Sequence, residues 1–207
     1  MDRFTSGLVA SLLIACAPAT FAASSTSLSV GGTITPSSCT PTLSSGGIVD
    51  HGKLTVKDLN PEQPTRLPTG ELLLEVNCEA ATFFTLTTVD NRAGTSAIHP
   101  ASHGLGTIND DQMLGSAAFS LFDAVADTQP VHAIMSSNGG SSWRISSYLG
   151  HAGITAFAAP ADLYTPIAIK VLNARLSAFT TLVPAKDLPL VDEVPIDGSA
   201  TLQVKYL

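Results

Sequence analysis

The chain has 207 residues and a formal net charge of −7; 44% of it is hydrophobic and 13% is charged. That composition is too apolar and too weakly charged for a disordered segment, and the length suits one domain or two. No run of Lys and Arg offsets the acidic balance, which excludes the electrostatic footprint of a nucleic-acid-binding protein.

The N-terminus reads as an export signal. Arg3 precedes the apolar run GLVASLLIACA, which is too short to span a bilayer, and the small residues of ATFAASS follow, with Thr20 and Ala22 at the −3 and −1 positions. The expected division is a signal peptide at 1–22 and a single domain at 23–207. LIAC, ending at Cys16, also fits a lipoprotein signal, in which Cys16 is acylated and anchors the chain to a membrane. Cleavage after Ala22 discards Cys16 and is the expectation here. Two cysteines then remain, Cys39 and Cys78, and two cysteines in an oxidising compartment imply one disulfide.

Along the exported body the pattern is one of strands. Leu28, Val30 and Ile34 alternate with Ser and Thr up to Pro36. A Ser-Ser-Gly-Gly turn precedes a short strand expected around Ile48 and Val49. NPEQPTRLPTG is a loop. ELLLEVNC places Leu72, Leu74 and Val76 on one face, and ATFFTLTTVD has the Thr and Phe content of a strand. Asn91 to Gly115 shows no period. AAFSLF and VHAIMSS read as strands, and SNGGSSWRISS as a hairpin turning at Asn138-Gly139-Gly140. AGITAFAAPADLY allows either a strand or a short helix ended by Pro160. PIAIKVLNARLSAF alternates at Ile167, Ile169 and Val171. Val194 and Ile196 lead into the last strand, where Ala200, Leu202, Val204 and Tyr206 alternate with Thr201, Gln203 and Lys205. Many short strands with turn signals between them predict an all-β sandwich.

Catalytic and metal motifs are sparse. HPASH spaces His99 and His103 by four, but its Pro and Ser make it a loop of solvated histidines rather than a helix face carrying metal ligands. The sequence shows neither a G-x-S-x-G elbow nor H-E-x-x-H. NDDQ, from Asn109, lacks the spacing of a calcium loop. SSNGGSSW resembles the Asp-box hairpin of sialidase-type propellers, yet a propeller needs several blades, and Trp143 is expected to pack back onto the sheet. The reading is therefore a non-enzyme without cofactor or metal.

The two ends of the body carry a joint pattern. GTITPSSC sets Cys39 seven residues after Gly32, the second cysteine follows an apolar strand, and the chain closes on an alternating strand with a penultimate Tyr. This combination resembles the pilin subunits of the chaperone–usher pathway. With GGIVDHGKL, VDNRAG and IDGSATLQVKYL, the chain is similar to GltF-like exported proteins of unknown function, which themselves resemble pilins. The resemblance implies an immunoglobulin-like sandwich lacking its last strand. It implies an open groove beside Ala200, Leu202, Val204 and Tyr206, filled first by a strand from a periplasmic chaperone that also binds the carboxylate of Leu207. At an outer-membrane usher the N-terminal extension of a neighbouring pilin subunit takes over, with Leu28 and Val30 as this chain's own donor-strand candidates. The function expected is thus that of a fimbrial subunit in the periplasm or on the cell surface. The alternative is a self-contained exported binding module that fills the groove with its own segment.

Overall fold

Period-two alternation governs the architecture, seen here in a computed structural model that describes Ser29 and residues 38–109, 111–190 and 192–207. The chain divides into two units, Met1–Ile34 and Thr35–Leu207, and every element below belongs to the second. The expected signal peptide (1–22), Cys16, and the strand residues Leu28, Val30 and Ile34 lie outside the described residues. In chain order the strands are β1 (Cys39–Leu43), β2 (Thr65–Arg66), β3 (Gly70–Thr82), β4 (Phe84–Asp90), β5 (His103–Gly104), β6 (Thr107–Ile108), β7 (Gln112–Met113), β8 (Gly115–Ala126), β9 (Gln129–Pro130), β10 (His132–Ser136), β11 (Arg144–Ile145), β12 (Tyr148–Leu149), β13 (Ile154–Ala158), β14 (Ile169–Leu182) and β15 (Ala200–Tyr206). Among the described residues there is no α-helix.

The strands form a β-sandwich. One sheet runs β1-β3-β14-β8-β12, with β2 added to β14 and β5 and β9 added to β8; the other runs β11-β10-β13-β4-β15. β6 and β7 pair with each other outside these two sheets. Every strand pairing is antiparallel. The central core draws from both inner faces: Leu72, Leu74, Val76, Leu121, Leu172 and Leu176 from the first, Phe84, Leu86 and Phe157 from the second. β3 shows why the sequence folds this way. Leu74 and Val76 are fully buried, while Leu73 between the inward residues is 54% exposed, so the strand can bury only one of its faces.

Cys39 and Cys78 form the disulfide. They are directly opposed in the β1–β3 register, so the bridge pins an edge strand to the long strand beside it. A smaller apolar cluster lies toward one end, where Leu59, Leu105, Leu114, Val183 and Leu188 are covered by partly buried Leu54, Val194 and Ile196. Trp143 packs, as expected, on Ile134, Ala156 and Ala158 of the second sheet. The hairpin expected there joins β10 to β11, with Gly139 and Gly140 at positive φ.

Two expectations need correction. Ile48 and Val49 form no strand: the preceding Ser45, Gly46 and Gly47 all take positive φ, which turns the chain out, and Ile48 is 69% exposed. Val194 and Ile196 lead into the last strand as irregular chain. The alternation through Ile167, Ile169 and Val171 does not continue, because the β14–β3 register shifts between Ile169 and Val171. The Asp127 carboxylate accepts from the backbone N–H groups of Lys170 and Val171 there. Beyond that irregularity Leu172, Ala174, Leu176 and Ala178 face inward. The ambiguous segment after Gly153 is a strand, β13, which ends before Pro160.

Candidate functional site

Two strand edges border one side of the sandwich. Among the described residues β1 pairs only with β3, and β15 only with β4. The edges meet at one end, where the Cys39 N–H donates to Oη of Tyr206 at 2.9 Å. From there β1 runs toward Leu43 and the Ser44–Gly47 turn, and β15 runs back toward Ala200. Leu43, Gly47 and Val49 on one side and Ile196, Ala200 and Leu202 on the other then line a cavity of about 180 Å³. Its floor includes Leu72, Phe119, Leu149 and Leu176 from the inner faces.

The hydrogen-bond parity of the two edges differs in a way that matters chemically. Asn91 N donates to Ser199 O, and Leu207 N donates to Phe83 O. With the β15–β4 register, these two bonds direct the backbone of Thr201, Gln203 and Lys205 toward β4. The N–H and C=O groups of Ala200, Leu202, Val204 and Tyr206 therefore point to the free edge, and among the described residues no hydrogen bond meets them. The same four residues supply the face that Leu202 and Val204 lay, half-buried, against the core. On β1, Glu79 N donates to Ser38 O, so Cys39, Pro41 and Leu43 face the free edge. There Cys39 is engaged by Tyr206 and Pro41 has no N–H to give. Of the two edges, β15 alone offers an unbroken row of donors and acceptors.

The far end of the cavity is polar. His103, on β5 in the first sheet, is only 2% exposed, and its Nε2 lies 2.7 Å from Oγ1 of Thr88 on β4 in the second sheet. The pair bridges the two layers. Burial is the main cause holding the His103 imidazole below its ordinary pKa; the nearby His151 adds to it, while Asp90 and the Ala117 backbone oppose it. His103 Nδ1 is buried and unpartnered: the Ala117 backbone lies close enough to influence the ring without meeting hydrogen-bond geometry. The ring packs 4.8 Å from Phe119 and 5.0 Å, edge-on, from His151. Asp90 Oδ2 accepts from Gly104 N at 3.0 Å, tying β5 to the end of β4. His51 also lines the cavity and shares a hydrogen bond with Thr180 Oγ1 at 2.9 Å.

The structure thus brings Ala200, Leu202, Val204 and Tyr206 together on one edge and holds Cys39 beside Tyr206. Leu207 lies past the strand and is 57% exposed. The reading of His103 as a solvated loop residue is corrected: the two-residue strand β5 carries it under the sheet. His51, His103 and Thr88 were not among the candidate residues. No period marks them, and only the long-range pairing of β5 with β8 and of β4 with β15 assembles them. The Asn138 turn is held by its own side chain, which accepts from Ser136 Oγ and from Ser142 N, so it serves the hairpin.

A disulfide of this kind belongs to an oxidising compartment, and the chain is an exported protein. The family described as "Protein of unknown function (DUF1120)" matches residues 28–119. The chain is similar to Protein GltF of Escherichia coli (strain K12). The two are 27% identical over 88% of each chain. It is also similar to Uncharacterized protein YhcF of the same organism, at 26% identity over 90% of this chain and 92% of the relative. Together these matches support a GltF-like kinship of unknown function.

Proposed function

We propose that the protein is a pilin-like fimbrial subunit that works by binding and not by catalysis, and that its groove takes up an extended strand from a partner. The observation carrying this reading is the row of backbone groups on Ala200, Leu202, Val204 and Tyr206 that no hydrogen bond meets among the described residues, beside an apolar-floored cavity. A strand laid along β15 satisfies those groups, and its alternate side chains cover Leu202 and Val204; backbone bonds supply affinity and pockets supply fit. In this reading a periplasmic chaperone lends the first strand and contacts the carboxylate of Leu207. At an outer-membrane usher a neighbouring subunit replaces it, and the segment carrying Leu28 and Val30 plays the same part for the next copy. An open apolar edge of this length is an aggregation hazard until it is covered, which is the physical reason for a dedicated chaperone.

A second reading, a self-contained exported binding module, is favoured by one observation. The Tyr206–Cys39 contact closes one end of the groove, and Leu74, Val76 and Leu86 are fully buried without any added strand. Expression in the periplasm without a chaperone, followed by gel filtration and limited proteolysis, separates the two. Aggregation or degradation that a co-expressed fimbrial chaperone rescues, and that deletion of Tyr206 and Leu207 makes unrescuable, supports the subunit. A stable, protease-resistant monomer removes it and leaves the module.

A further inference from the structure

Tyr206 closes the row of backbone groups on β15 and also stands in its way. Its Oη accepts the Cys39 N–H at 2.9 Å, so a side chain of one edge strand reaches across the groove to the backbone of the other. The Cα atoms of β1 and β15 come within 8 Å of each other, whereas a strand laid between two others and bonded to both needs them about 9–10 Å apart. The contact also takes the N–H that β1 turns to the groove at that end; Pro41, the next residue of the same parity, has none to offer. At the other end Leu43, Gly47 and Val49 stand apart from Ala200 and Leu202 across the cavity of about 180 Å³. The backbone around Tyr206 is held without the contact. Tyr206 stands opposite Phe84 in the β15–β4 register, and Leu207 N donates to Phe83 O at 3.1 Å. Tyr206 is 43% exposed. Breaking the contact is therefore a rotation of one side chain toward solvent, with water taking the place of the phenol at the Cys39 N–H, and not a fraying of the strand.

We infer that Tyr206 is a latch on the groove. With its hydroxyl on the Cys39 N–H the groove is shut at the disulfide end, so a strand from a second copy of this chain pairs first with Ala200 and Leu202 and reaches Tyr206 only when the phenol swings out. The inference rests on the strand-addition reading. Its size follows from the bond. A hydrogen bond that water can replace is worth little net, so the latch favours the shut form by about two- to fivefold. A strand that needs the open form binds more weakly by the same factor, and removing the hydroxyl restores that affinity. A Tyr206 that only supported β15 would give the opposite sign, because losing its bond would loosen the edge on which the strand pairs.

The probe is a fluorescently labelled synthetic peptide of residues 24–36, the stretch that carries Leu28 and Val30. It is titrated into the disulfide-bonded protein and into Tyr206→Phe, with hydrogen exchange of the β15 amides read alongside. Tyr206→Phe is expected to bind the peptide about two- to fivefold more tightly than the parent. In the parent the bound peptide protects the amides of Ala200 and Leu202 more than that of Tyr206, and in Tyr206→Phe this difference shrinks. Equal or weaker binding by Tyr206→Phe, or protection in the parent that is strongest at Tyr206, overturns the latch and leaves strand addition standing. Peptide binding to neither protein overturns the strand-addition reading and the latch with it, so the two failures are distinguishable.

Discussion

Val204 stands directly across from Leu86 in the β15–β4 register, in a pair whose backbones do not bond each other and whose side chains are therefore close. Leu86 is fully buried and Val204 half-buried against the same core. Val204→Asp removes half of a valine's burial, about 1 kcal/mol. It also sets a carboxylate against Leu86 with no cation in the core to receive it, which adds on the order of 2–3 kcal/mol. The expected loss is about 3–4 kcal/mol. Lys205, one residue on, points outward and is exposed; Lys205→Asp should stay within about 0.5 kcal/mol. Urea unfolding of both variants and the parent, oxidised and at equal concentration, measures this directly through shifts in midpoint at constant slope. If Val204→Asp costs under 1 kcal/mol, or Lys205→Asp costs as much, then β15 is not seated on the core as described and the groove beside it loses its wall.

Replacing Cys39 and Cys78 together by Ala removes a cross-link between residues 39 apart in sequence; the chain-entropy relation gives a loss of about 4 kcal/mol, read from urea midpoints with and without the bridge. Tyr206→Phe deletes the acceptor for the Cys39 N–H, should cost about 1 kcal/mol or less because the site is near solvent, and should speed hydrogen exchange of the Cys39 amide. For His103, whose pKa is lowered on folding, the unfolded chain takes up the proton first. Its contribution is complete above the ordinary histidine value of about 6.5 and is lost as pH falls below it, by at most about 1.4 kcal/mol per pH unit. Thermal melts of parent and His103→Asn between neutral and mildly acid pH isolate that slope, and parallel curves would refute it.

Some of this fold is legible in sequence because local pattern and long-range packing agree. Leu72, Leu74 and Val76 alternate in the chain and face the core; Gly139 and Gly140 announce a turn and make one; the two body cysteines pair. Elsewhere a distant group decides. The carboxylate of Asp127 takes the backbone of Lys170 and Val171, and the phase of β14 changes at a point that no property of PIAIKVLNA reveals. Ile48 and Val49 look like a strand, but three consecutive left-handed residues before them aim the chain elsewhere. His103 has the sequence context of a loop and becomes the most buried histidine, because the two-residue strand β5 is captured by β8. The candidate site follows the same division. Its edge was readable from alternation at Ala200, Leu202, Val204 and Tyr206; its polar end, built from four separate segments, was not.

The contrast between the two edges of the groove is itself informative. Exposed strand edges are commonly guarded by proline, by charge or by shortness. β1 has five residues, and Pro41 falls at a position whose missing N–H would face the groove; the neighbouring free N–H, that of Cys39, is taken by Tyr206. β15 has seven residues and no such guard on the groove side. Its single charge, Lys205, sits in the parity class whose backbone bonds β4, with its side chain on the outer face. Protection is thus placed on the β1 edge and withheld from the β15 edge, whose donors and acceptors are unmet among the described residues. A strand entering the groove consequently has one place to pair, along β15, and its side chains then cover Leu202 and Val204, which the sandwich by itself leaves only half-buried.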